Sequence, residues 1–196
     1  MHRFAVSFLF VALSALALAL SSCSTIPKVT DPSGVDVSVT QMTPGEISAS
    51  YGFDTGDTGD NINPYLARTG YLTRQTLDFI VLQLKITAAV PAKVYLYRWS
   101  ARGPSGNEVA ALYSRDALRT QIDAWNQPGR GLQQANDTIR RSYLPSTTIE
   151  IGPGRRTYVL VFAGKHPMPL PATVVVDLSV NSGKGRSFLL TVNKIQ

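Results

Sequence analysis

The chain has 196 residues, a formal charge of +6, 44% hydrophobic and 16% charged side chains, a balance that excludes an intrinsically disordered protein. A single cysteine excludes a disulfide framework within one chain, and two histidines exclude a metal centre built from several His or Cys ligands.

In chain order, His2 and Arg3 form a short positive segment ahead of the apolar run Phe4 to Leu20 (FAVSFLFVALSALALAL), and the small residues Ser21 and Ser22 then precede Cys23. This is the layout of an export signal; the competing reading is a retained membrane helix, because the run approaches the roughly 20 residues that span a bilayer. The string Leu20-Ser21-Ser22-Cys23 resembles the lipobox of bacterial lipoproteins. The resemblance implies cleavage of residues 1–22, a covalent lipid on Cys23 and anchoring in a membrane through N-terminal acyl chains. Ser24, standing where an aspartate would signal retention, implies by the same resemblance export to the bacterial outer membrane, facing the periplasm or the cell surface. More than one chain is needed, since a single acyl chain holds only marginally.

Residues 23–34 read as a lipidated N-terminus and flexible tether, with two prolines and no apolar periodicity. Residues 35–196 are long enough for one domain with a substantial core. From Cys23 to Asn63, Lys28 is the one cation against six acids, whereas from Pro64 onward 17 cations face seven acids, a net of +10. That asymmetry fits either an anion-binding surface or two segments that attract each other. Nucleic acid is excluded as a partner by the compartment and by the lack of an aromatic-basic motif. Anionic glycolipid and peptidoglycan stay open.

The domain reads mostly as strands. Val35 to Val39 alternates apolar and polar, and Glu46 to Phe53 (EISASYGF) continues the pattern after a Thr43-Pro44-Gly45 turn. Asp78 to Thr87 is an apolar run that becomes alternating, the mark of a central strand. Lys93 to Trp99 places Val94, Leu96 and Arg98 on one face and Tyr95, Tyr97 and Trp99 on the other. The aromatic stripe is expected to pack against helix, with a glycan-stacking platform as the alternative. Glu108 to Tyr113 follows a Gly-Pro turn.

The period then lengthens. Ser114 caps a helical insertion at about 114–127, with Leu118, Ile122 and Trp125 on one face and Pro128-Gly129 as its stop. Leu132, Ala135, Ile139 and Tyr143 form a second, weaker helical stripe. Strands resume at Thr147 to Ile151 and Thr157 to Phe162, and the prolines of His166 to Pro171 impose an extended loop. Thr173 to Val180 and Ser187 to Ile195 flank Asn181 to Arg186 as a hairpin. The sum is a mainly β domain of about eight to nine strands, an antiparallel β-sandwich with one helical insertion. Ile149 to Gly154 followed by Tyr158 to Phe162 resembles a strand-turn-strand signature of bacterial immunoglobulin-like domains, which implies that version of the sandwich.

Candidate chemistry is sparse. Asp54, Asp57, Asp60 and Asn61, spaced by glycines and threonines, offer enough oxygens for a calcium ion, although a solvated turn explains the same residues. Arg140, Arg141, Arg155 and Arg156 would bind anions if the fold gathered them on one face; apart, they are solvated charges. His166 stands in a proline-rich loop where exposure is expected, and the three glutamates suggest no facing carboxylate pair. The chain therefore reads as a non-enzyme with no catalytic residues and no cofactor besides the lipid. It is a binding or scaffolding module of the cell envelope, its partner another envelope protein. The alternatives are direct binding of anionic glycolipid or calcium, or a place in an envelope secretion machine. Lipobox, sandwich and inserted helix together are similar to the type VI secretion lipoprotein, a likeness of layout alone.

Overall fold

The computed structural model describes residues 29–30, 34–54, 61–66, 77–123 and 130–195. The leader, the lipobox and Cys23 lie outside these residues. The described strands are β1 (Val29–Thr30), β2 (Val35–Gln41), β3 (Phe53–Asp54), β4 (Asn61–Ile62), β5 (Leu77–Ala88), β6 (Ala92–Arg102), β7 (Glu108–Leu112), β8 (Thr148–Ile151), β9 (Gly154–Lys165), β10 (Ala172–Val180) and β11 (Arg186–Val192). The described helices are α1 (Pro44–Tyr51), α2 (Arg115–Asp123) and α3 (Arg130–Ser142).

Nine strands join in one antiparallel sheet of order β1-β2-β5-β9-β7-β6-β10-β11, with β8 paired to β6; β3 and β4 form a separate two-stranded ladder. The sheet curls until it nearly closes. At the gap between its ends, the Gln41 side-chain amide donates to the Lys194 carbonyl at 2.9 Å. Inside the curl lie Val35, Val37 and Val39 of β2, Ile80, Leu82, Leu84 and Ile86 of β5, Leu160 and Phe162 of β9, and Val174, Val176 and Leu178 of β10, all fully buried. Each large apolar side chain removed from water contributes about 1.5–3 kcal/mol before entropy is counted.

β5 is the central strand expected from its apolar run, in full register with β2 on one side and β9 on the other. Phe79 and Val81, which point away from the curl, are buried as well, because the helices form a second layer over that outer face. The Phe79 ring meets Tyr113 at 5.7 Å between centroids. The backbone leading out of α3 is pinned to β9 by the Leu144 amide donating to the Val159 carbonyl at 3.0 Å.

The segment Glu46 to Phe53 is not the strand its alternation suggests. Thr43 is the N-cap of α1: its hydroxyl accepts from the Glu46 amide, the Glu46 carboxylate accepts from the Thr43 amide at 2.7 Å, and Pro44 opens the first turn. A reciprocal capping box with proline at the first helical position outweighs a four-residue alternation. The helical insertion is also larger than the expected 114–127. The second stripe folds into α3 and buries Ala135, Ile139 and Tyr143.

The alternation of Lys93 to Trp99 breaks where a β-bulge shifts the register with β10 between Asp177 and Leu178. Val94 and Leu96 face the core, Tyr97 falls at the bulge, and Trp99 and Ala101 then turn inward. Tyr97 is left 57% exposed, so the aromatic stripe does not pack as a unit. The terminal hairpin forms as expected: Asn181 and Ser182 take positive φ of 48° and 58°, and the Gly183 amide closes the turn onto the Val180 carbonyl at 2.8 Å. Asparagine tolerates that region, and its side chain is engaged by the Lys93 amide at 2.8 Å.

Candidate functional site

Two surfaces stand out, both on the outer side of the nine-stranded sheet but over different strands. The first is a groove of about 420 Å³ between α1 and α3. Ser50, Tyr51 and Gly52 line it from the end of α1, and Gln134, Thr138, Arg141 and Ser142 line it from α3. Those four occupy i, i+4, i+7 and i+8, one face of a helix. The adjoining stripe of α3 is the apolar one that buries Ala135 and Ile139, so the face that docks the helix also brings its polar flank to the groove.

Behind the groove, buried tyrosines hold its two walls in place. Asn63 is buried and ties its segment to α1 by donating to the Ile47 carbonyl at 3.0 Å, while its side-chain oxygen accepts from the Tyr65 amide at 3.0 Å. Tyr65 is thereby held edge-on to Tyr51 at 5.2 Å and stacked on Tyr143 at 6.4 Å. Its hydroxyl shares a 2.7 Å hydrogen bond with the Ser142 hydroxyl, which in turn donates to the Thr138 carbonyl at 2.6 Å. The Tyr143 hydroxyl donates to the Tyr113 carbonyl. Burial pushes the phenols of Tyr51 and Tyr65 up, and that of Tyr143 to about 12, so these hydroxyls serve as neutral hydrogen-bonding groups and not as bases or nucleophiles. Arg115, at the start of α2, donates to the Arg140 carbonyl at 3.1 Å. A guanidinium there satisfies an orphan carbonyl of α3 and complements its dipole.

The second surface is the outer face of β6, β10 and β11, which no helix among the described residues covers. Tyr97 and Leu189 are 57% and 63% exposed on it. Between them Asp177 is almost wholly buried, and Arg98 reaches over it with Nε at 2.6 Å from a carboxylate oxygen. Val175 lies in the same face, half-buried.

The expected site residues fare differently. Asp54 and Asn61 stand opposite each other in the β3–β4 ladder, while Asp57 and Asp60 lie outside the described residues. Among the described residues no cluster of three or more His, Cys, Asp or Glu could hold a metal. The four arginines are not gathered. Arg140 pairs with Asp137 at 3.1 Å, Arg141 lines the groove, and Arg155 and Arg156, as neighbours on β9, point to opposite faces of the sheet.

His166 is half exposed but not free. Its Nδ1 lies 2.9 Å from one oxygen of the buried Asp78, whose other oxygen accepts the Met168 amide at 2.7 Å. Among the described residues no hydroxyl or thiol joins this pair, which clamps a loop and lacks a nucleophile. The groove was invisible in the sequence, because residues 50–52 and 134–142 meet only in three dimensions. The exposed Tyr97 was hidden by a bulge that alternation cannot announce. No known family model matches the chain, and no curated protein resembles it.

Proposed function

We propose that this chain is a non-catalytic lipoprotein, anchored in the outer membrane through Cys23, whose β-rich domain is a binding or scaffolding module of the bacterial cell envelope. The strand pairing supports the immunoglobulin-like version of the fold. β2, β5 and β9 pair in one row and β11, β10 and β6 in another, the arrangement of strands A-B-E and G-F-C in that architecture. The single observation that carries the binding role is the bare outer face of β6, β10 and β11. Apolar side chains as exposed as Tyr97 and Leu189, ringing a charged pair and lying on a rigid sheet, have the composition of an interface centre.

The test is a photoreactive amino acid placed at Leu189 in the full-length chain in intact cells, with a control at Val90, which is also exposed but lies on a turn at the end of the sheet. One envelope protein captured from Leu189 and not from Val90 is the expected result. No adduct, or the same set of adducts from both positions, overturns the reading. Cys23→Ala should move the chain to the soluble fraction still folded, and its persistence in membranes would remove the anchor from the proposal.

A further inference from the structure

We infer that the groove between α1 and α3 binds a saccharide carrying one anionic group, a carboxylate or a phosphate. The site is separate from the exposed sheet face and does not depend on it. Its volume of about 420 Å³ lies within the range of small-ligand sites.

The lining selects the ligand by exclusion first. Of the seven lining residues only Gly52 lacks a side-chain hydrogen-bonding group, so an apolar ligand would leave polar groups unpaired, which is costly. No carboxylate lines the groove, so a cation has no partner there. What remains is a polar ligand that is neutral or anionic.

Arg141 decides between those two. Its neighbour Arg140 is paired with Asp137, and Arg98 is paired with Asp177. Arg141 instead uses Nε to hold its own helix, donating to the Asp137 carbonyl at 3.2 Å, and among the described residues no carboxylate takes its terminal nitrogens. A guanidinium so placed presents two parallel donors to an anion.

The hydroxyl relay supplies the second half. Because the Ser142 hydroxyl donates to the Thr138 carbonyl, the proton between Tyr65 and Ser142 must come from Tyr65. Ser142 Oγ therefore keeps one lone pair for a donor from the ligand. Acetate brings no such donor and phosphate only its P–OH, whereas a sugar brings several around a ring that spans the groove. The Gln134 amide, the Thr138 and Ser50 hydroxyls and the ring of Tyr51 complete a lining of the kind that holds a pyranose.

The test uses the full-length chain in detergent, titrated calorimetrically with N-acetylmuramic acid, glucose 6-phosphate, N-acetylglucosamine, acetate and inorganic phosphate. At least one of the two acidic sugars should bind with a Kd at or below about 1 mM, about tenfold or more tighter than the neutral sugar and the bare anions. Preference for the first points to a wall sugar as the source, and for the second to a phosphorylated headgroup. Arg141→Ala should weaken binding about tenfold or more, and rising salt should weaken it further. Ser142→Ala should weaken it several-fold, and Arg155→Ala should leave it unchanged. Both arginines are exposed, so neither change threatens the fold. Absence of binding by both acidic sugars, full affinity in Arg141→Ala, or acetate and phosphate binding as well as the sugars would each overturn the inference. None of these outcomes bears on the crosslinking experiment at Leu189.

Discussion

Asp78 on β5 accepts the backbone amide of Met168 at 2.7 Å, ninety positions later in the chain. One buried carboxylate thereby anchors the proline-rich loop that follows β9, with its second oxygen engaged by His166. Asp78→Ala leaves a buried amide unpaired and should cost about 2 kcal/mol, or roughly 4–8 °C in Tm for a domain of this size. His166→Ala removes a half-exposed partner and should cost well under half as much. Thermal melting of the two variants checks the ranking, and equal losses would show that the histidine carries the loop.

Gly164 sits directly opposite Asp78 in the β5–β9 register. A Cβ there would collide with the Val109 carbonyl oxygen and approach the Met168 methyl to 2.8 Å. Backbone cannot step aside as a flexible side chain does, so Gly164→Ala should destabilise by about 1–3 kcal/mol. Denaturant unfolding would measure it, with Gly152→Ala, which meets open space, as the control.

The buried phenols set an alkaline limit. Tyr65 and Tyr143 have pKa values raised above the ordinary 10.0, Tyr143 to about 12, chiefly by burial. In the unfolded chain they ionise near the ordinary value. The stability they contribute is therefore whole below about pH 10 and is lost as pH rises toward the folded value. Stability should fall steeply between about pH 10 and about pH 12, and Tyr65→Phe combined with Tyr143→Phe should flatten that fall. Melting curves across this range decide the matter, and an unchanged slope in the double variant would place the alkaline transition elsewhere.

The capping box of α1 predicts the opposite sign at acid pH. Hydrogen bonds from Thr43 hold the Glu46 carboxyl below its ordinary 4.5. Its contribution is present above that value and disappears as pH drops through the lower folded pKa. Thr43→Ala should cost about 1 kcal/mol near neutrality. Glu46→Gln should show a loss relative to the parent near neutrality that shrinks as pH falls below 4.5 and through the lower folded value. A pH-independent difference would mean that the carboxylate charge plays no part in the cap.

The sequence displays the strands whose two faces see different solvents. Val35 to Val39 alternates because one face looks into the curl, and the apolar start of β5 is unbroken because helices cover its outer side. α1 was legible too, in Thr43, Pro44 and Glu46, yet the alternation of Ile47, Ala49 and Tyr51 pointed the other way. The reciprocal cap decides between the two, and burial of Ile47 with the Asn63 side chain on its carbonyl secures the result. The groove has no linear trace, since its two walls lie more than eighty residues apart. Tyr97 shows a third kind of failure: one bulge inverts every face assignment beyond it, and nothing within Lys93 to Trp99 marks the position.

Where the sheet nearly closes at Gln41 and Lys194, its β2 and β11 edges face each other and leave little room for an incoming strand. Partners that recruit by lengthening a sheet read mainly peptide groups and tolerate drift in the side chains around them. This domain has largely closed that route, which also spares it from edge-to-edge aggregation. Its selectivity must then be written in side chains, so single surface substitutions should be able to switch one partner off while leaving the fold and its solubility intact.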